Sequence, residues 1–116
     1  MFRFEELEIW KLALEYGQKL YKISFQFPKE ETFALSDQLK RAAVSISNNK
    51  AEGSGGTAKD FSNFLNMAVK STLETVSILY FVRKQGYIKE DERKLLYQEA
   101  EKLIRKIRAF KMSLNH

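Results

Sequence analysis

One proline, Pro28, and two glycine signals divide this chain of 116 residues. The breaks fall at Phe27-Pro28-Lys29, at the run from Gly53 to Gly56, and at Gly86. Proline and glycine are the strongest local breakers of regular structure, so the four segments between the breaks can run long. Within each segment apolar residues recur three and four apart. None shows the alternation of a half-buried strand. An all-α fold is predicted. Short connections between long helices make neighbours antiparallel, hence an up-down-up-down four-helix bundle, one domain over residues 1–116.

Helix one is expected from about Phe4 to Ser24. Leu7, Trp10, Leu14, Gly17 and Tyr21 form one apolar stripe on it, and Ile9, Leu12, Ala13, Tyr16, Leu20 and Ile23 form a second. Glu8, Lys11, Glu15, Gln18, Lys22 and Gln26 make the polar stripe between them. Helix two is expected from Glu31 or Ser36 to Glu52. Leu35, Leu39, Ala42, Ala43 and Ile46 face inward, and Gly53 is the left-handed residue just past its end. Helix three is expected to start with Thr57 as N-cap and Asp60 three positions on, close to a capping box. Its inward face runs from Phe61 through Leu65, Ala68, Thr72, Thr75, Val76 and Leu79 to Val82. Phe64, Met67, Ile78 and Phe81 make a second apolar set, and Gly86 ends the helix. Helix four, from about Glu90 to Leu114, alternates Leu96, Ala100, Leu103, Ile107, Phe110 and Leu114 four and three apart, the spacing of a bundle seam. An outer helix of a monomeric bundle needs one apolar stripe. The extra stripes on helices one and three either thicken a monomer core or form a second buried surface. Large exposed apolar patches are rare on soluble monomers, so a homo-oligomer is expected.

Composition closes off several kinds of chemistry. There is no cysteine, and the one histidine is His116. Disulfides, thiolate metal sites and cysteine nucleophiles are therefore excluded. The helices also lack the histidines of a Ser-His-Asp set or of a di-iron bundle. Ser54 to Gly56 follows a helix instead of a strand and is no Walker loop. No enzymatic activity, cofactor or metal is expected. The start, MFRFEELEIW, lacks the basic leader and apolar core of a secretory signal. No apolar run approaches the ~18 residues of a membrane span. A soluble, cytoplasmic protein is expected. The formal net charge of +5 permits an anionic partner without requiring one.

Taken in order, FEELEIW, FPKEE, LSDQLKRAAVSIS, Asn49-x-Ala51-Glu52-Gly53, a Phe-rich third helix and Gly86-Tyr87-Ile88 resemble the four-helix-bundle family named for the 23S rRNA intervening sequence. The resemblance covers Phe4 to Leu114. It implies a left-handed bundle that assembles as a ring-like homopentamer, encoded in bacterial large-subunit rRNA intervening sequences or in stand-alone genes. It also implies kinship with the accessory variability protein of diversity-generating retroelements, a basic pentamer that binds nucleic acid and the reverse transcriptase. The chain departs from the family pattern at Lys50 and Lys70, where an apolar or small residue is usual. Glu52 and Glu74 are the acids the resemblance singles out. Mirroring helices two and three about their turn puts Glu74 near Asp37 and far from Glu52, so the two make no catalytic pair. Glu74 is expected to pair with Lys70 one turn back or with Arg41 across the hairpin. Glu52 is expected to bond Asn48, Asn49 or backbone near Gly53.

Lys102, Arg105, Lys106, Arg108 and Lys111 form the strongest charge feature, ten residues of helix four without an acid. They are either a solvated face that complements the negative helix C-terminus, worth under ~1 kcal/mol each, or a surface that contacts phosphates. Lys40 and Arg41 lie on helix two, with Lys50 about three turns on. They mark either a simply exposed helix or a basic lining at one mouth of the assembly. These eight residues are the candidate RNA or DNA contacts. No base-stacking aromatic stands among them, and the aromatics fall mostly on the buried stripes. Binding is thus expected to address the backbone with little sequence preference. The competing expectation is a structural or adaptor oligomer that recruits a protein partner and touches no nucleic acid.

Overall fold

The four predicted helices are present: α1 Phe4–Ser24, α2 Asp37–Gly53, α3 Ala58–Lys84 and α4 Glu90–Leu114. The structure is a computed structural model that describes the backbone of residues 4–53 and 58–114 and the side chains of residues 6–47, 59 and 61–114. No strand occurs among the described residues. Side-chain pairs give the direction of each neighbour. Along α1 and α4 the partners are Glu8 with Lys106, Lys19 with Glu99, and Gln26 with Glu92. One number falls as the other rises, so the helices are antiparallel. Gly17 against Ala43 and Tyr21 beside Lys40 give the same sense for α1 and α2. Asn66 with Lys111 and Arg83 with Glu90 give it for α3 and α4. Each helix packs on two neighbours, and the result is a rod of 45 × 25 × 18 Å.

Local chemistry explains the helix ends. After Ser24 three successive amides, of Phe25, Gln26 and Phe27, donate to carbonyls three residues back, which tightens the last turn of α1. Pro28 then takes φ −60°, a value its ring enforces. The entry to α2 differs from expectation. A 3₁₀ turn over Lys29–Glu31 and a π turn over Thr32–Ser36 precede a helix that begins at Asp37. The wider π turn takes up one extra residue. Ser36 is buried and Leu35 packs on the core, while Phe33 is carried outward. Gly53 is the last residue of α2 instead of the residue beyond it. Thr57 lies outside the described residues, as does the side chain of Asp60. Gly86 ends α3 as expected, at φ 80°. Its amide donates to Arg83 (2.9 Å) and the Tyr87 amide donates to Val82 (3.0 Å), the paired bonds of a Schellman cap. At the start of α4, Glu92 reaches back to accept from the Lys89 amide at 3.0 Å, half of a capping box. That bond holds the Glu92 carboxyl below its ordinary range.

The core uses the predicted seams. Leu96, Ala100, Leu103, Ile107 and Phe110 are buried, as are Ala13, Tyr16, Leu20 and Ile23 on α1. The second apolar set of α3 divides: Phe64 and Ile78 enter the core, while Met67 and Phe81 stay exposed. The first stripe of α1 also remains outside at Leu7, Trp10 and Tyr21. One polar chain crosses the centre. The Tyr16 hydroxyl and Thr75 Oγ1 lie 2.8 Å apart, Thr75 donates to the Thr72 carbonyl, and Thr72 donates to that of Ala68. Burial, opposed by the Thr75 bond and assisted by the Glu99 charge, pushes the Tyr16 phenol up to about 12.

Candidate nucleic-acid interface

The last three turns of α4 present their cations around the outside of the helix, because the seam occupies its inner face. Lys102, Arg105 and Arg108 are exposed and make no ion pair with a described residue. Lys106 leans toward α1 and bonds Glu8. Lys111 leans the other way and donates to Asn66 on α3 at 2.6 Å. The cluster of five is therefore real as a neighbourhood, but three members are free and two hold the helix to its neighbours.

Beside Lys102 runs a groove of ≈ 530 Å³ between α1 and α4. Lys19, Lys22 and Lys102 stand along it over Ile23 and Leu96. Lys19 is tied to Glu99, whereas Lys22 is unpaired among the described residues. Glu92 and Glu99 line the same groove, so Lys22 is the one α1 cation that adds to the predicted basic set there. Lys22 was visible in the polar stripe of helix one. Its closeness to Lys102 depends on the pairing of α1 with α4, which no local pattern records.

Lys40 and Arg41 are not brought to this cluster. α2 and α4 occupy diagonal corners of the bundle, and Lys40 sits level with Tyr21 while Lys106 sits level with Glu8. The two levels are roughly 20 Å apart along α1. Arg41 bonds Asp37 at 2.7 Å, one turn back on its own helix. That bond corrects the expected role of Glu74. Glu74 lies near Arg41 and Asp37 in the α2–α3 groove, but it has no ion pair with a described residue. Arg41 is already held by a closer carboxylate, and Lys70 is exposed. The side chains of Lys50 and Glu52 lie outside the described residues, so their expected roles stand neither met nor missed.

The aromatics also depart from expectation. The Lys40 amine lies 4.8 Å from the Phe25 ring centre and 5.5 Å from that of Tyr21. The Arg93 guanidinium lies 5.5 Å from Tyr80 and 5.9 Å from Tyr97. Cations over ring faces are held by the ring quadrupole. Both groups sit at the end of the bundle that carries the α1–α2 and α3–α4 connections. Among the described residues, no three His, Asp or Glu side chains gather closely enough to hold a metal ion. No helix among them is long and apolar enough to cross a membrane.

The 23S rRNA-intervening sequence protein family model matches residues 5–109. The crystal structure of a protein of unknown function from the S23 ribosomal protein family of Bacteroides thetaiotaomicron superposes with a TM-score of 0.84 at 21% identity. The match covers 94% of this chain and 99% of that one, and at such identity it shows a shared fold. No curated protein matches the chain in sequence.

Proposed function

We propose that this chain, which belongs to the 23S rRNA-intervening sequence protein family, is a basic, non-enzymatic, cytoplasmic homo-oligomer that binds RNA or DNA through backbone phosphates. The observation that carries the reading is the trio Lys102, Arg105 and Arg108, exposed along the second half of α4 and in no ion pair with a described residue, although Glu99 and Glu15 lie near Lys102. Each phosphate that such a cation neutralises releases condensed counterions, so contacts add and salt weakens them. A ring multiplies the contacts by its number of copies. Self-association has separate support. Leu7 and Trp10 on α1 with Val44 on α2 leave apolar surface on one side, and Leu73 on α3 with Met112 on α4 leave it on another. Contact between unlike faces is heterologous and closes into a ring when the rotation permits. Five is the ring size we propose, in line with the pattern that FEELEIW and LSDQLKRAAVSIS share with the family.

The test is retention of labelled RNA and DNA at low salt by the wild type and by a Lys102→Glu, Arg105→Glu, Arg108→Glu variant. Lys106 is left alone because it bonds Glu8. The variant is expected to lose binding with its melting temperature kept. A control with the same charge change at Lys11, Lys70 and Lys94 should retain most of it. A wild type that binds neither nucleic acid hands the function to the competing reading, an adaptor for a protein partner.

A further inference from the structure

We propose that the connection end of the bundle, where α1 passes into α2, is a stacking platform for the unpaired bases of single-stranded nucleic acid, an inference that rests on the nucleic-acid reading above. Three aromatic side chains stand in solvent there: Tyr21 is 40% exposed, Phe25 73% and Phe33 95%. Isolated exposed apolar residues are ordinary. These are grouped with charge. The Lys40 amine sits over the Tyr21 and Phe25 rings, and Phe33 precedes Lys40 by two helical turns. Lys22 and Lys29 are exposed on either side of Phe25 in the chain. Of the nearby acids, Asp37 pairs with Arg41, Glu31 accepts from the Tyr87 hydroxyl and Glu92 from Gln26, so Lys22, Lys29 and Lys40 stand among described carboxylates of which none is in an ion pair with them.

Flat apolar rings beside several cations match a chain that offers flat bases and a phosphate backbone. Proteins that hold single strands combine these two features, because every base has a face that stacks on an aromatic ring. Duplex bases are already stacked on each other and cannot use the platform. A second copy is a poorer occupant. The aromatic cluster at this end of the opposite face, Tyr80 with Tyr97, carries Arg93 and Lys84 over its rings. Docking it here would set like charges together. The apolar residues assigned above to self-association lie toward the middle and the far end of the rod and leave this end open.

The experiment compares a 12-nucleotide oligouridine with a duplex of equal length, using the wild type, a Phe25→Leu, Phe33→Leu double variant and a Phe25→Trp variant. The double variant should bind the single strand about tenfold or more weakly, the loss of stacking from one or two bases. Its duplex affinity should change less than about twofold, since duplex contacts are phosphate contacts. The indole emission of the Phe25→Trp variant should be quenched by the single strand beyond the change at Trp10 in the wild type, and not by the duplex. Unchanged single-strand affinity, or equal loss on both ligands, overturns the platform while leaving the phosphate reading intact. A drop in oligomeric mass in the double variant overturns it in favour of a self-contact. A wild type that binds neither ligand removes the nucleic-acid reading and the platform together.

Discussion

Tyr16 is the residue whose surroundings make the sharpest thermodynamic statement. Its hydroxyl is buried at the centre of the bundle and meets Thr75 across a sequence gap of 59 residues. The unfolded chain gives up a tyrosine proton near 10, whereas the folded protein keeps this one to about 12. Between those values the folded state binds more protons than the unfolded state, so stability falls as pH rises. The contribution is fully present below pH 10 and is lost through about pH 12, a swing on the order of 3 kcal/mol. Tyr16→Phe should therefore lower stability by ~1 kcal/mol at neutral pH through the lost hydrogen bond. It should also flatten the alkaline limb of a melting-temperature profile between about pH 9.5 and 11.5. A variant with the wild-type alkaline slope would contradict this account. That Tyr16 enters the core was legible from its place in the stripe Ala13, Tyr16, Leu20 and Ile23. Its partner was not, because Thr75 sits in a different helix and both threonines read as ordinary seam positions.

At the scale of elements, α4 gives the clearest test of which face points inward. Leu103 and Ile107 are each 1% exposed at mid-seam. A carboxylate placed there is desolvated without a partner, at a cost of several kcal/mol, comparable to the stability of a whole domain. Leu103→Asp or Ile107→Asp should abolish cooperative thermal melting in circular dichroism, and a wild-type melt in either would mean that the seam is wrongly placed. Helix number, order and seams were readable because a bundle repeats one rule, apolar residues every three or four, and stops it at glycine or proline. The π turn before Asp37 was not readable, since Thr32-Phe33-Ala34-Leu35-Ser36 carries no signal that separates a π turn from an α turn. The capture of Lys40 by Tyr21 and Phe25 was hidden for a related reason. It depends on the end of α1 lying beside the start of α2, and Phe25 falls just past the expected end of helix one, on no apolar stripe.

For the whole molecule, charge and apolar surface are distributed lengthwise. The free cations Arg105 and Arg108 lie toward one end with Lys102 near the middle, and the ring–cation groups at Phe25 and Tyr80 lie at the other end. Apolar side chains such as Trp10, Leu73 and Met112 stay outside the core between and beyond them. Light scattering after size exclusion should give a mass near five times the 13.6 kDa chain, and a stable monomer at micromolar concentration would remove the ring. The basic tail was legible as a cluster, while its division into three free and two engaged cations needed the neighbours Glu8 and Asn66. Phosphate binding by the second half of α4, as proposed, shows in the salt dependence of affinity. Fluorescence anisotropy with a labelled oligonucleotide should show log affinity falling linearly with log salt, with a slope reduced when Lys102, Arg105 and Arg108 are replaced by Glu, because fewer counterions are then released. Affinity that is independent of salt, or a slope unchanged in the variant, would contradict the account.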